Sequence, residues 1–234
     1  MKERPIIMSA ESVRAILDER KTQTRRVIKS VRCRRGGQIT EFGKSDTDGY
    51  DFHYRNRWAQ WNDVSNKKMI DRCPYGAIGD RLWVRETWTT ESALWDDDKS
   101  DAFFLQVLAG GERLIYKADD IVSYNKWRSP MFMPRWASRI TLEITDIRIE
   151  RLQDISEEDA ITEGVDIESS HASRCIDIET APYDNDLIKG SAILTVFKDH
   201  WNSLNVKRGY SWESNPWVWV ISFKVVELLT EVKR

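Results

Sequence analysis

The chain is poor in cysteine and histidine, in long apolar runs and in charge of one sign. Its three cysteines, Cys33, Cys73 and Cys175, are odd in number and widely spaced, so they suit neither a disulfide framework nor a CxxC metal site. They read as reduced thiols of a cytoplasmic protein. His53, His171 and His200 show no HExxH or HxH spacing; no metal and no other cofactor is expected. The most apolar run, Trp217 to Ile221, is far too short to span a bilayer. Met1 to Ser9 lacks the apolar stretch of a secretory leader, so no membrane partner is expected. With 36 Lys and Arg against 38 Asp and Glu, the net charge of -2 exerts no global pull on nucleic acid. An anionic partner has to be held by local basic residues. There is no internal repeat, and no repeated βαβ rhythm of a doubly wound sheet.

What is present is enough apolar material, 41% of 234 residues, for a packed core. The pattern reads as one domain, 1–234, of α+β class. Arg4 to Met8 predicts a strand, and Ser9 caps a helix with Val13, Ile16 and Leu17 on one face, ending near Arg20. Val27 and Ile28 open another strand. Leu82 to Val84 and Leu114 to Tyr116 read as strands. Ile140, Leu142 and Ile144 alternate, and the phase slips at Asp146 before Ile147 and Ile149 resume it, as in a bent strand of a small barrel. Ser156 to Asp159 resembles a capping box, with Gly164 as the helix stop. Ile193 to Leu204 predicts an amphipathic helix, and Trp217 to Val226 a strong final strand. Three stretches without periodicity, 32–72, 92–112 and 166–189, read as long loop insertions, the first as a flap. The acidic run Asp96 to Asp98 reads as solvated surface.

Three features carry chemistry. Lys21-Thr22-Gln23-Thr24-Arg25-Arg26 follows the first helix directly. A continued helical turn places Lys21 and Thr24 on one face at i, i+3, whereas a flat strand points them apart. A neutral amine can accept a hydroxyl proton, so the two form a workable base and nucleophile; burial and the cations Arg20, Arg25 and Arg26 favour the neutral amine. A solvated basic turn is the bland alternative from spacing alone. Glu163, just before Gly164, faces the negative end of a helix dipole, a placement that suits a proton donor; helix logic alone equally allows an exposed glutamate. The third feature is an abundance of tryptophan, 11 residues. Trp83 and Trp136 stand beside Arg81, Arg85, Arg135 and Arg139, and strand alternation puts Arg81, Trp83 and Arg85 on one face. A cation beside an indole suits a nucleobase, and it also suits an ordinary core or surface pair.

Together these segments resemble the ASCH family, whose signature is Gly-x-Lys-x-x-x-x-Arg after the first helix. Here Lys21 and Arg26 match and Glu19 replaces the glycine. Gly79-Asp80 with the strand after it, and the final aromatic strand, also match. Similarity is closer still to the small ASCH enzymes that hydrolyse N4-acetylcytidine: Arg20-Lys21-Thr22, Thr24 and Arg26 match their Arg-Lys-Thr-x-Thr-x-Arg, and Ile155 to Glu163 matches the helix that carries their catalytic glutamate. The whole chain also looks like larger ASCH proteins of bacteriophages and prophages, over Arg4–Arg26, Cys73–Trp88, Met133–Gly164 and Asn215–Phe223.

The resemblance implies a PUA-like mixed β-barrel capped by helices. It implies an amidohydrolase that removes an acetyl-like group from a modified nucleoside or nucleobase, free or within single-stranded nucleic acid. Lys21, Thr24 and Glu163 would be the catalytic set, and Arg26, Arg81, Trp83, Arg85 and Trp136 would contact substrate. The alternatives are a non-catalytic module that binds RNA or a modified base, and a phage accessory protein whose partner is another protein.

Overall fold

The computed structural model describes residues 1–28, 41–56, 58–90, 114–119, 126–165 and 185–228. The 92–112 stretch, the acidic run Asp96 to Asp98, Cys33, Cys175 and His171 lie outside them. The chain forms two compact units, each built from non-contiguous segments. The first takes Met1–Glu19, Gly79–Glu143 and Lys224–Arg234; the second takes Arg20–Ile78 and Ile144–Phe223.

In the first unit β1 (Glu3–Ile7) runs parallel to β6 (Arg81–Arg85), with Pro5 opposite Trp83. Strand β6 in turn pairs antiparallel with the first half of β9 (Ile140–Arg151). A β7 (Trp88–Thr90) and β8 (Leu114–Tyr116) ribbon stands apart from this sheet. Helix α1 (Ala10–Leu17) starts as the sequence predicts, with the Ser12 amide donating to Ser9 Oγ over 3.2 Å. It ends earlier than expected, because Glu19 adopts a left-handed backbone with φ 59°.

That residue stands where the resembled signature has glycine, the residue that takes this conformation without steric cost. Glu19→Gly is therefore expected to raise stability by about 0.5–1 kcal/mol, the relief of the left-handed strain less the greater freedom of glycine in the unfolded chain. Urea unfolding checks the gain, and a loss of stability would contradict it.

In the second unit β10 (Trp217–Leu228) pairs antiparallel with β2 (Gln23–Val27), Ile221 opposite Thr24 and Trp219 opposite Arg26. The strand pairs are parallel (β1 with β6) and antiparallel (β6 with β9, β10 with β2), and the described residues form no closed barrel. The fold is α+β with mixed sheets and few helices. Strand β9 is one continuous element, and its phase slip is real: Ile140, Leu142 and Ile144 are buried, and burial resumes at Ile147.

The 32–72 stretch is more regular than its texture suggests. It holds an antiparallel meander of β3 (Glu41–Lys44), β4 (Phe52–Arg55) and β5 (Trp61–Val64), followed by α2 (Asn66–Ile70). Alternation is hidden because each strand is only four residues long, between polar turns. Phe42 and Phe52 pack edge-on against Trp217 at 5.4 and 5.5 Å, which ties the meander to the start of β10.

Helix α3 (Glu157–Thr162) and helix α4 (Asn185–Asn205) complete this unit; the latter begins inside the stretch 166–189 that reads as a loop. Ala160, Phe197, Trp201, Val218 and Val220 share one apolar cluster with Leu152 and Ile155. This cluster fixes α3 against β10, and with it the residues at the end of α3.

Candidate active site

The site belongs wholly to the second unit and forms where the chain enters β2 beside the end of α3. Ser156 caps α3 by accepting from the Asp159 amide at 3.1 Å, and Gly164, with φ 85°, ends it. Glu163 is the C-cap residue between them. The helix end docks on the incoming chain through backbone bonds: the Thr22 amide donates to the Thr162 carbonyl at 2.9 Å, and Lys21 and Glu163 form an antiparallel bridge. On its other side the Thr22 carbonyl accepts from the Phe223 amide at 2.8 Å. Thr22 is thus held extended from both sides. The helical continuation that would set Lys21 and Thr24 on one face does not form; strand β2 begins at Gln23 instead.

Lys21 and Glu163, 142 residues apart, meet directly. Lys21 Nζ donates to Glu163 Oε2 at 2.8 Å and to the Glu163 carbonyl at 2.5 Å. Both side chains are buried, 4% and 7% exposed, so Glu163 is not the surface residue that helix position alone allows. Burial pushes the Lys21 amine below the ordinary lysine range; the Glu163 carboxylate pulls it back up, and Arg26 and Arg25 push it down again. An ammonium has three protons, and two of them are directed at Glu163. The neutral amine keeps two N–H groups for the same two acceptors and gains a lone pair. The geometry is therefore compatible with either protonation state.

Arg25, with 1% of its side chain exposed, lies at the centre of the carboxylates. Its Nη1 meets Glu163 Oε1 at 3.3 Å, and its Nη2 meets Asp159 Oδ2 at 2.7 Å and Glu150 Oε2 at 3.2 Å. Arg148 holds the outer side of both, Nη2 to Asp159 Oδ2 at 2.8 Å and Nε to Glu150 Oε1 at 2.6 Å. Burial works to raise the Asp159 carboxyl, but Arg25 and Arg148 hold it below the usual carboxylate range. Two arginines (Arg25 and Arg148) thus hold three carboxylates (Glu163, Asp159 and Glu150), with the Lys21 amine on the first of them.

Strand alternation puts Gln23 and Arg25 on one face of β2 and Thr24 and Arg26 on the other. Thr24 is buried at 4% exposure. Arg26, on the Thr24 side of the strand, is close enough for its charge to act on both Lys21 and Glu163. The charge of Arg26 also reaches Tyr75, whose phenol is raised by burial.

The other residues expected to contact substrate belong to the first unit. Arg81, Trp83 and Arg85 lie along β6. The Arg85 guanidinium sits 4.7 Å from the centre of the Trp83 ring, and that of Arg135 sits 6.0 Å away. Trp83 is only 8% exposed. Trp136 lies edge-on to the buried Trp88 at 6.3 Å. These indoles already have protein partners.

The sequence names Arg25 only as a cation that disfavours the Lys21 ammonium, not as a clamp on carboxylates, and it does not point to Asp159, Glu150, Arg148 or Tyr75 as parts of the site. A signal existed for two of them. Asp159 and Glu163 are four residues apart and share a helix face. Arg25 would have stood out had β2 been started at Gln23. Nothing in the local sequence marks Glu150, Arg148 or Tyr75.

Among the described residues no group of His, Cys, Asp and Glu is arranged to hold a metal ion, and no helix is long and apolar enough to cross a membrane. No family model, no curated protein and no solved structure matches the chain.

Proposed function

We propose that the protein is an amidohydrolase of the ASCH type, with a PUA-like core, that removes an acyl group from the exocyclic amine of a cytosine-like nucleoside or nucleobase. The observation that carries this reading is the buried Lys21 amine, held on Glu163 and pushed toward its neutral form. A buried lysine with a single carboxylate partner and two neighbouring arginines is a poor structural ion pair and a good candidate for a general base. The left-handed Glu19, at the glycine position of the resembled signature, adds support for the alignment.

In the proposed reaction neutral Lys21 takes the proton of the Thr24 hydroxyl. The alkoxide attacks the acyl carbonyl, and the oxyanion is met by Arg26. Collapse breaks the C–N bond; the leaving amine takes back the proton from Lys21, with Glu163 assisting the transfer. Water then cleaves the threonine ester and releases the carboxylic acid. Substrate binding has to bring the Thr24 hydroxyl and the Lys21 amine together, since the resting structure does not bond them.

Incubation with N4-acetylcytidine and N4-acetylcytosine, followed by assay of acetate, tests the reading. Release by the wild type and its loss in Thr24→Ala support it. No release from any acylated cytosine, or full activity in Thr24→Ala, overturns it. The binding-module reading has less in its favour, because Trp83 is buried beneath its own arginines.

A further inference from the structure

Of the three charged groups that act on Lys21, Glu163 and Arg26 have a role in the reaction just proposed and Arg25 has none. The guanidinium touches neither Lys21 nor Thr24 by any hydrogen bond among the described residues, yet it is the most deeply buried cation of the second unit's charge network. It binds the oxygen of Glu163 that Lys21 does not use, at 3.3 Å. Its other nitrogen is anchored on Asp159 at 2.7 Å and on Glu150 at 3.2 Å. Those two carboxylates are fixed in turn by Arg148. The anchors come from α3 and β9, so the guanidinium is held by elements other than its own. This is how a fixed fork is built rather than a mobile counter-ion.

We propose that Arg25 is a positioning residue for Lys21: it clamps one oxygen of Glu163 and shares the carboxylate's charge, so that the other oxygen orients the amine without holding its proton. The inference rests on the reading of Lys21 as a base, but it concerns the ionisation of one side chain and can be tested without turnover. The charges acting on Lys21 come from Glu163 on α3 and from Arg26 and Arg25 on β2. Behind Arg25 stand Asp159 on α3 and Glu150 and Arg148 on β9. Strand β10, paired to β2, contributes Val218 to Ser222 and no charge.

Without Arg25 the whole negative charge of Glu163 falls on Lys21 and stabilises its ammonium. The balance between burial, which lowers the amine, and Glu163, which raises it, then tips upward.

The test is a pH titration of the Lys21 13Cε resonance, assigned by its absence in Lys21→Met. It is run on the wild type, Arg25→Met and Arg25→Lys. The expected wild-type midpoint lies below that of the other lysines, with an upward shift in Arg25→Met. Arg25→Lys keeps a charge but not the fork, and is expected to shift in the same direction by less. If Arg25→Met does not fold, Arg25→Lys alone decides. An unchanged midpoint in the folded variants, or a wild-type midpoint no lower than that of the other lysines, overturns the proposal. If hydrolysis is found, Arg25→Lys should lower kcat by about a hundredfold, the cost of a misplaced catalytic group, and leave KM unchanged. A merely structural role would not move the Lys21 midpoint. Absence of hydrolysis in every form would dismiss the enzymatic reading and leave the titration result standing.

Discussion

Lys21→Met is expected to lower the hydrolysis of N4-acetylcytidine by about a thousandfold, within the range lost when a positioned base is removed. Methionine keeps the length and apolar body of the side chain, so the loss reports the amine rather than a cavity. Glu163 retains Arg25 as a partner in this variant, at 3.3 Å, and is not left as an isolated buried charge. The pH profile separates this role from a structural one. A base works only when deprotonated, so wild-type kcat/KM should rise with pH through the Lys21 midpoint. That midpoint lies below the ordinary lysine range, because burial disfavours the ammonium. Lys21→Met should lose that rising limb, leaving a low and flatter profile. A variant that retains the same limb at reduced height would show that another group is the base.

The same depressed amine affects folding. Between its folded midpoint and the ordinary lysine value the unfolded chain binds the extra proton, so stability rises with pH across that window. The buried ammonium is a cost that alkaline conditions relieve.

What could be read from the sequence follows the physics of each segment. Ser9, Ser156 and Gly164 were legible because a cap or a stop is set by the residue and its immediate neighbours. The long strands β9 and β10 were legible because ten or more residues give alternation room to show. The meander of Phe42, Phe52 and Trp61 was not, since four residues between polar turns show no period. In the candidate site, Lys21 and Glu163 could be named from their positions beside helix ends and from the resemblance. The conformation between Lys21 and Thr24 could not, because it is imposed by partners far along the chain: Thr162 on one side of Thr22 and Phe223 on the other. The charge network around Arg25 was hidden for the same reason. Its members come from β2, β9 and α3, and their charges look like ordinary surface residues until the strands pair.

The largest expected effect on stability comes from that network. Arg25→Met should destabilise the protein by about 3–5 kcal/mol, the usual cost of removing one partner from buried ion pairs. Three carboxylates lose their shared cation, and Asp159 and Glu163, one helical turn apart, are left to repel each other. Arg148 still holds Asp159 at 2.8 Å but has no bond to Glu163. In the wild type, Asp159 is held below the usual carboxylate range against the upward push of burial. That stabilisation is full above the unfolded carboxyl value of about 3.9 and is lost as pH falls through the lower folded value. In Arg25→Met the Asp159 carboxyl loses its main restraint and takes up a proton more readily in the folded state, which relieves its repulsion of Glu163. The stability gap between wild type and variant should therefore narrow as the pH is lowered from 7 toward 4.5. Urea unfolding at both pH values measures the gap. A difference below about 1 kcal/mol at pH 7, the range of an exposed pair, would mean that Arg25 does not hold the carboxylates together. A large gap that does not change with pH would assign its contribution to packing instead of charge.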